Sequence, residues 1–152
     1  MSLKPGDRAP EIRSDSFQLS KLKGKTVVLF FFPKADTPGC TRESCAFRDA
    51  NKKLLKINAQ IVGCSPDKAD AQAKFAAKYD LPYTFVPDAD HSIAEAYSVW
   101  KEKLNYGRTY MGIERTTFVI DPQGKIAKIF PKVKVDGHVD KVLEWVAANA
   151  AG

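Results

Sequence analysis

A three-layer α/β domain with a central mixed β-sheet is what this sequence predicts, and three observations predict it. Two apolar runs rich in β-branched and aromatic residues, TVVLFFF (26–32) and QIVGCS (60–65), read as strands buried on both faces. Segments whose apolar residues recur every three or four positions alternate with them, as helices lying on a sheet would. Near the end, TTFVIDPQGKIAKIF (116–130) reads as two strands joined by a tight turn, which makes the sheet mixed rather than all parallel.

The elements follow in order. Pro33 ends the first strand, since proline cannot donate to a ladder. From Thr41 to Ile57 the pattern turns helical, with Phe47, Ala50, Leu54 and Ile57 on one face. After the strand at 60–65 comes a helix carrying Ala73, Phe75, Ala76 and Tyr79, then strand-like TFVPD (84–88) and a short helix over IAEAYSVW (93–100). The turn Asp121-Pro122-Gln123-Gly124 separates the last two strands. VDGHVDKVLEWVAANA (135–150) closes the chain as an amphipathic helix, with Val139, Val142, Leu143 and Val146 on one side. A thioredoxin-like arrangement fits this order.

The 152 residues suit a single domain spanning 1–152, large enough to bury roughly two thirds of the unfolded surface. Apolar residues make up 44% of the chain, which argues for a packed core and against disorder. The start, MSLKPGDRAPEIRS, is polar and carries two prolines, so it reads as neither a signal peptide nor a membrane span. A soluble, cytoplasmic protein with no membrane association is expected. The net charge of +6 comes from scattered lysines, among them Lys21, Lys23, Lys25, Lys101 and Lys103, without a nucleic-acid-binding signature. A solvated basic surface accounts for it, with steering of an acidic protein partner as the alternative.

The chemistry concentrates in TPGCTRESC (37–45). Thr37 suits an N-cap, Pro38 the first helical position, and Gly39 a close approach of the backbone to another group. Cys40 then falls at the third helical position, where a capping box would carry an acidic side chain. Unpaired amides and the positive end of the helix dipole favour a thiolate there. The alternative is a small buried cysteine at a helix start. Five residues on, Cys45 lies about 7.5 Å along the helix and about 140° around it, which puts the two Cα atoms roughly 8.6 Å apart. A disulfide needs about 7 Å or less, so the pair can bond only if the first turns unwind. Cys40 lies near the Phe47/Leu54 stripe and Cys45 away from it, so Cys45 should be the less buried. An incidental surface thiol is the other reading of Cys45.

Metal binding lacks ligands: there is no second cysteine pair, and the two histidines, His91 and His138, are far along the chain. A thioredoxin-type dithiol would show C-x-x-C, which is missing and argues against a protein disulfide oxidoreductase. A redox-regulated binding protein or holdase that uses an unwound state is a further alternative. Attack of a thiolate on a peroxide, giving a sulfenic acid that condenses with a nearby thiol, uses all the features together. It also needs a cation to stabilise charge on the peroxide oxygens. Arg115, in GIERTTFVID, is the candidate, although spacing alone does not separate it from Arg42 or Arg108.

PKADTPGCTRESCAFRD together with GIERTTFVID closely resembles the peroxiredoxins, and among them the peroxiredoxin Q or bacterioferritin comigratory protein branch. The likeness runs along almost the whole chain, from KPGDRAPEI through LKGKTVVLFFFP and IVGCSPD to the closing helix. The signature P-x-x-x-T-x-x-C falls on Pro33, Thr37 and Cys40. The resemblance implies that Cys40 is the peroxidatic cysteine, that Thr37 hydrogen-bonds the substrate oxygen and that Pro33 shields the thiolate from water. Arg115 would stabilise the thiolate and orient the peroxide, and Cys45 would be the resolving cysteine. It also implies a thioredoxin-like fold, hydrogen peroxide or an organic hydroperoxide as substrate, and no cofactor or metal. Re-reduction by thioredoxin or a glutaredoxin-like dithiol protein, and a monomer, complete the expectation. Cys64 departs from the usual plain apolar residue and reads as a core residue. Glu43 is either a partner for an arginine near the site or a solvated residue of the helix face.

Overall fold

A computed structural model describes residues 3–14 and 17–149. The short strands β1 (Arg13–Ser14) and β2 (Phe17–Gln18) pair with each other, and a 3-10 turn, Leu19–Leu22, leads into the sheet. Then follow β3 (Thr26–Phe31), α1 (Pro38–Lys56), β4 (Ala59–Ser65), α2 (Ala69–Lys78), β5 (Thr84–Pro87) and α3 (Ser92–Ala96). The chain continues with β6 (Trp100–Asn105), β7 (Arg108–Ile113), β8 (Thr116–Ile120), β9 (Ile126–Phe130) and α4 (His138–Asn149).

The central sheet has five strands in the order β5-β4-β3-β8-β9. Strands β3, β4 and β5 run parallel, while β8 joins β3 antiparallel and β9 joins β8 antiparallel, so the sheet is mixed as its sequence pattern predicts. Every residue of β3 is buried, because both faces of the central strand are covered. Val28, Phe30 and Phe32 face a cluster shared with Phe47 and Leu54 of α1, Phe75 of α2 and Val142 and Val146 of α4. Val27, Leu29 and Phe31 alternate to the other face, where α3, the N-terminal segment and Tyr97 close a second cluster. Phe30 stacks on Phe47 at 4.7 Å between ring centres, which fixes the height of α1 over the sheet. Truncating such a ring to alanine costs about 3–5 kcal/mol. Gly63 makes room for it: a Cβ there would lie 2.8 Å from the Phe85 ring and 3.0 Å from Phe30.

Two expectations are corrected. The helix predicted over 93–100 stops at Ala96, and Trp100 opens a β-hairpin with β7 that no apolar periodicity announces. Trp100 instead stacks on His91, 4.1 Å between ring centres. The closing helix begins at His138 rather than at residue 135, and residue 150 lies outside the described residues. Among the described residues, no helix is long and apolar enough to cross a membrane.

Candidate active site

The buried strand β3 delivers Pro33 to the C-terminal edge of the sheet, and a four-residue loop then turns into α1. Ala35 donates its N–H to Asp67 at 2.8 Å, and Asp36 accepts from Lys78 and the Tyr79 hydroxyl at 2.9 and 2.8 Å. The loop is thereby tied to the segment after β4 and to the end of α2. Asp36 holds a positive φ of 60°, a conformation that aspartate tolerates better than most residues. Thr37 occupies the N-cap and Pro38 the first helical position, as predicted. The threonine hydroxyl does not cap the helix, however; it donates to the Lys34 carbonyl at 2.8 Å. Among the described residues, the first amides of α1 are thus left without a side-chain acceptor, and the positive end of the helix stays available.

Cys40 sits on the first turn at 1% exposure. Nη2 of Arg115 donates to its Sγ at 3.3 Å, and Nη1 of the same guanidinium donates to Glu43 Oε1 at 2.7 Å. Arg115 comes from the segment that opens β8, next to β3 in the sheet, and its carbonyl accepts the Val133 N–H at 2.9 Å. The guanidinium packs close over this turn: a Cβ at Gly39 would stand 3.4 Å from Arg115 Nη2, about van der Waals contact. Burial works against the Arg115 charge, but Glu43 and Cys40 outweigh it and strengthen its hold on the proton.

Glu43 is wholly buried, which rules out the solvated alternative. Its Oε2 finds no hydrogen-bond partner among the described residues. Burial pushes its carboxyl up to about 7, with Arg115 opposing through charge and hydrogen bond. The neighbouring His138 ring is held down at about 4 by burial, Lys141 and Arg115, and shares a 2.8 Å hydrogen bond with the Thr117 hydroxyl. Lys103, on β6, is held below its ordinary value by burial and by Arg115, with Glu114 and Cys40 acting the other way. It therefore stands within electrostatic reach of the cluster. Sequence reading placed Lys103 on the solvated surface, since nothing predicted the hairpin that carries it here.

Of the three candidate arginines, only Arg115 meets the thiol. Arg42 pairs with Asp136 at 2.7 Å on the surface, and Arg108 lies exposed on the hairpin. Pro33, half-buried, enters the site as the start of its loop, and Thr37 is one turn before the sulfur. Cys45 follows Cys40 within the same unbroken helix; both thiols are free, and Cys45 is the less buried, as predicted, although it packs against the Phe47/Leu54 cluster rather than pointing away from it. Near it, Tyr83 donates its hydroxyl to the Ser44 carbonyl at 2.6 Å, and Arg48 donates to the Tyr79 carbonyl at 2.8 Å. Cys64 is fully buried in β4, on the face of the sheet opposite Cys40.

Comparisons with known proteins show the family of the chain. The AhpC/TSA family model matches residues 5–129. Peroxiredoxin Bcp of Bacillus subtilis is 44% identical over 149 residues, covering 95% of each chain. Among solved structures, peroxiredoxin Q of Xanthomonas campestris superposes with a TM-score of 0.85 at 38% identity, over 88% of this chain and 85% of that one. A cysteine-to-serine variant of PrxQ from Xylella fastidiosa gives 0.90 at 33% identity over 99% of both chains. With a thiol, a guanidinium and an open helix start converging at the edge of a mixed sheet, this chain belongs to the AhpC/TSA family and is a peroxiredoxin enzyme of the Bcp/PrxQ kind.

Proposed function

We propose that Cys40 is the peroxidatic nucleophile and that Cys45 resolves it. The Cys40 thiolate attacks the terminal oxygen of a hydroperoxide; the S–O bond forms as the O–O bond breaks. The leaving alkoxide or hydroxide takes up a proton and departs as alcohol or water. The Cys40 sulfenic acid then condenses with the Cys45 thiol, forming a disulfide and releasing water. A dithiol protein such as thioredoxin, or a glutaredoxin-like reductant, returns both thiols by exchange. Arg115 stabilises the thiolate and the charge developing on the peroxide oxygens. Thr37 receives the substrate oxygen, and Pro33 keeps water from the sulfur.

The observation that carries this reading is the 3.3 Å contact from Arg115 Nη2 to a buried Cys40 sulfur at an uncapped helix start. The Xanthomonas campestris bacterioferritin comigratory protein, 37% identical to this chain, is described for its alkyl peroxide reduction activity, which supports organic hydroperoxides as substrates here.

Disulfide formation requires the first turns of α1 to unwind, because a helix holds residues five apart too far from each other. Oxidation of Cys40 removes the thiolate that Arg115 binds, which loosens one of the ties on these turns. The Arg42–Asp136 pair and the Tyr83 hydroxyl on the Ser44 carbonyl are others that must release.

The test is single-turnover peroxide consumption by reduced protein, with dimedone present to trap sulfenic acid. Cys45→Ser should still consume one equivalent and accumulate the Cys40 adduct, whereas Cys40→Ser should consume none. Adduct on Cys45 or Cys64 instead would overturn the assignment.

A further inference from the structure

At the opposite end of β3 from Pro33, roughly 20 Å along the strand, lies a cavity of about 180 Å³ that the peroxidase chemistry does not use. Its floor is apolar: Leu19 and Leu22 from the 3-10 turn, with Val27 and Ile120, which face each other across the β3–β8 ladder. The walls are set by backbone pairing, Ala9 N–H to the Gly124 carbonyl at 2.9 Å and Gly24 N–H to the Pro122 carbonyl at 2.8 Å. The cavity is thus preformed and needs no rearrangement to accept a ligand.

The charges around it do not cancel locally. Arg8, Lys23 and Lys25 line the cavity, and none of the three forms an ion pair among the described residues. The two acids beside them are already engaged. Glu11 Oε1 accepts the N–H groups of Ile12 and Ser20, each at 3.0 Å, while Asp121 Oδ1 accepts those of Gln123 and Lys125, each at 2.9 Å. These bonds leave both carboxylates charged, so three cations against two carboxylates give the rim of the apolar slot a net excess of one positive charge, and it is the cations whose donors stay open.

We propose that this cavity binds a small amphipathic anion, a flat apolar body carrying one carboxylate or a group of like charge. The volume sets the size: a dry cavity of about 150 Å³ lined by aliphatic side chains holds a benzene ring, so this one takes a single ring with its anionic substituent at the rim. Leu22, Val27 and Ile120 receive the ring. Arg8, Lys23 and Lys25 receive the charge, with arginine able to meet a carboxylate through two donors. The proposal goes beyond the peroxidase reading and does not depend on it.

Benzoate is the probe, titrated calorimetrically into the reduced full-length protein, with benzyl alcohol and acetate as the ring without charge and the charge without ring. Benzoate should bind saturably at one site and shift the amide resonances of Leu22, Val27 and Gly124 in a heteronuclear NMR spectrum. The double variant Lys23→Glu/Lys25→Glu should weaken it about tenfold or more, and Arg8→Gln by a smaller factor, with peroxide turnover unchanged. Absence of saturable binding would overturn the proposal. So would benzyl alcohol binding as tightly as benzoate, or charge reversal leaving the affinity untouched.

Discussion

Cys40 and Cys64 are both closed off from solvent, at 1% and 0% exposure, yet their surroundings differ in every respect that governs thiol chemistry. Cys64 lies in the middle of the sheet on β4, paired in register with Phe31 on one side and Val86 on the other. Burial and the Asp88 carboxylate push its thiol well above the ordinary range, so it packs as a small apolar side chain. Cys40 has a guanidinium 3.3 Å from its sulfur and a helix start that the Thr37 side chain does not cap. Burial alone therefore says nothing about reactivity. What separates the two thiols is whether donors and a cation were buried with the sulfur.

The largest expected effect breaks the comparison outright. Cys40→Ser should lower peroxide reduction by on the order of 10⁴-fold or more, as loss of a nucleophile does. Cys64→Ser should leave the rate within about twofold and lower stability by about 1–3 kcal/mol, the cost of a buried hydroxyl without a partner. Steady-state peroxidase assays and urea titrations measure both.

Removing the cation should bring Cys40 closer to Cys64. Arg115→Gln is expected to lose about 10²–10³-fold in the rate of the first oxidation, read by stopped-flow fluorescence, with Arg115→Lys recovering part of the loss. Equal rates for the glutamine variant and wild type would show that the helix start suffices by itself.

Glu43 sharpens the comparison through pH. Its carboxyl is raised from 4.5 unfolded to about 7 folded, so between these values the folded chain binds more protons. Stability due to this group is full below the window and is lost as pH rises through it, by at most about 1.4 kcal/mol per pH unit. His138 has the opposite sign: held down at about 4, it loses stability as pH falls. Since His138 is common to both proteins, the difference between wild type and Glu43→Gln isolates the glutamate. Urea midpoints should show the variant gaining on wild type between about pH 5 and about pH 7.5. A difference that does not change with pH would contradict the account.

The smallest effect belongs to the surface tie. Arg42→Ala removes an exposed pair whose Asp136 partner is 89% open to solvent, so global stability should change by about 0.5 kcal/mol or less. The rate of disulfide formation after peroxide addition should rise modestly, because one restraint on the unwinding turns is gone.

How much of this was legible in the sequence follows from how local each feature is. Strands such as 26–31 and the stripe of α1 carry their own periodicity, and TPGC carries its own helix start, so both were readable from a few residues. The hairpin β6–β7 was missed because it lacks a clear apolar alternation; Leu104, Tyr110 and Met111 are exposed. Its turn was weakly signalled as well: Tyr106 and Gly107 both adopt positive φ, at 52° and 76°, but of the two only glycine is a residue type that favours this conformation. The choice of Arg115 over Arg42 and Arg108 is a different matter. It depends on β8 lying beside β3, a pairing between segments far apart in the chain, which no spacing encodes and only the family resemblance supplied. The burial of Glu43 was hidden for the same reason: its partner is 72 residues away.

The central claim is that Cys40 and Cys45 act while Cys64 stands by, and a thiol map tests it most directly. One equivalent of hydrogen peroxide is added to the fully reduced protein, free thiols are alkylated at once, and linked peptides are identified by mass spectrometry. The account predicts a Cys40–Cys45 link with Cys64 alkylated only after denaturation. A link through Cys64, or a Cys40 that remains reduced while peroxide is consumed, would contradict it.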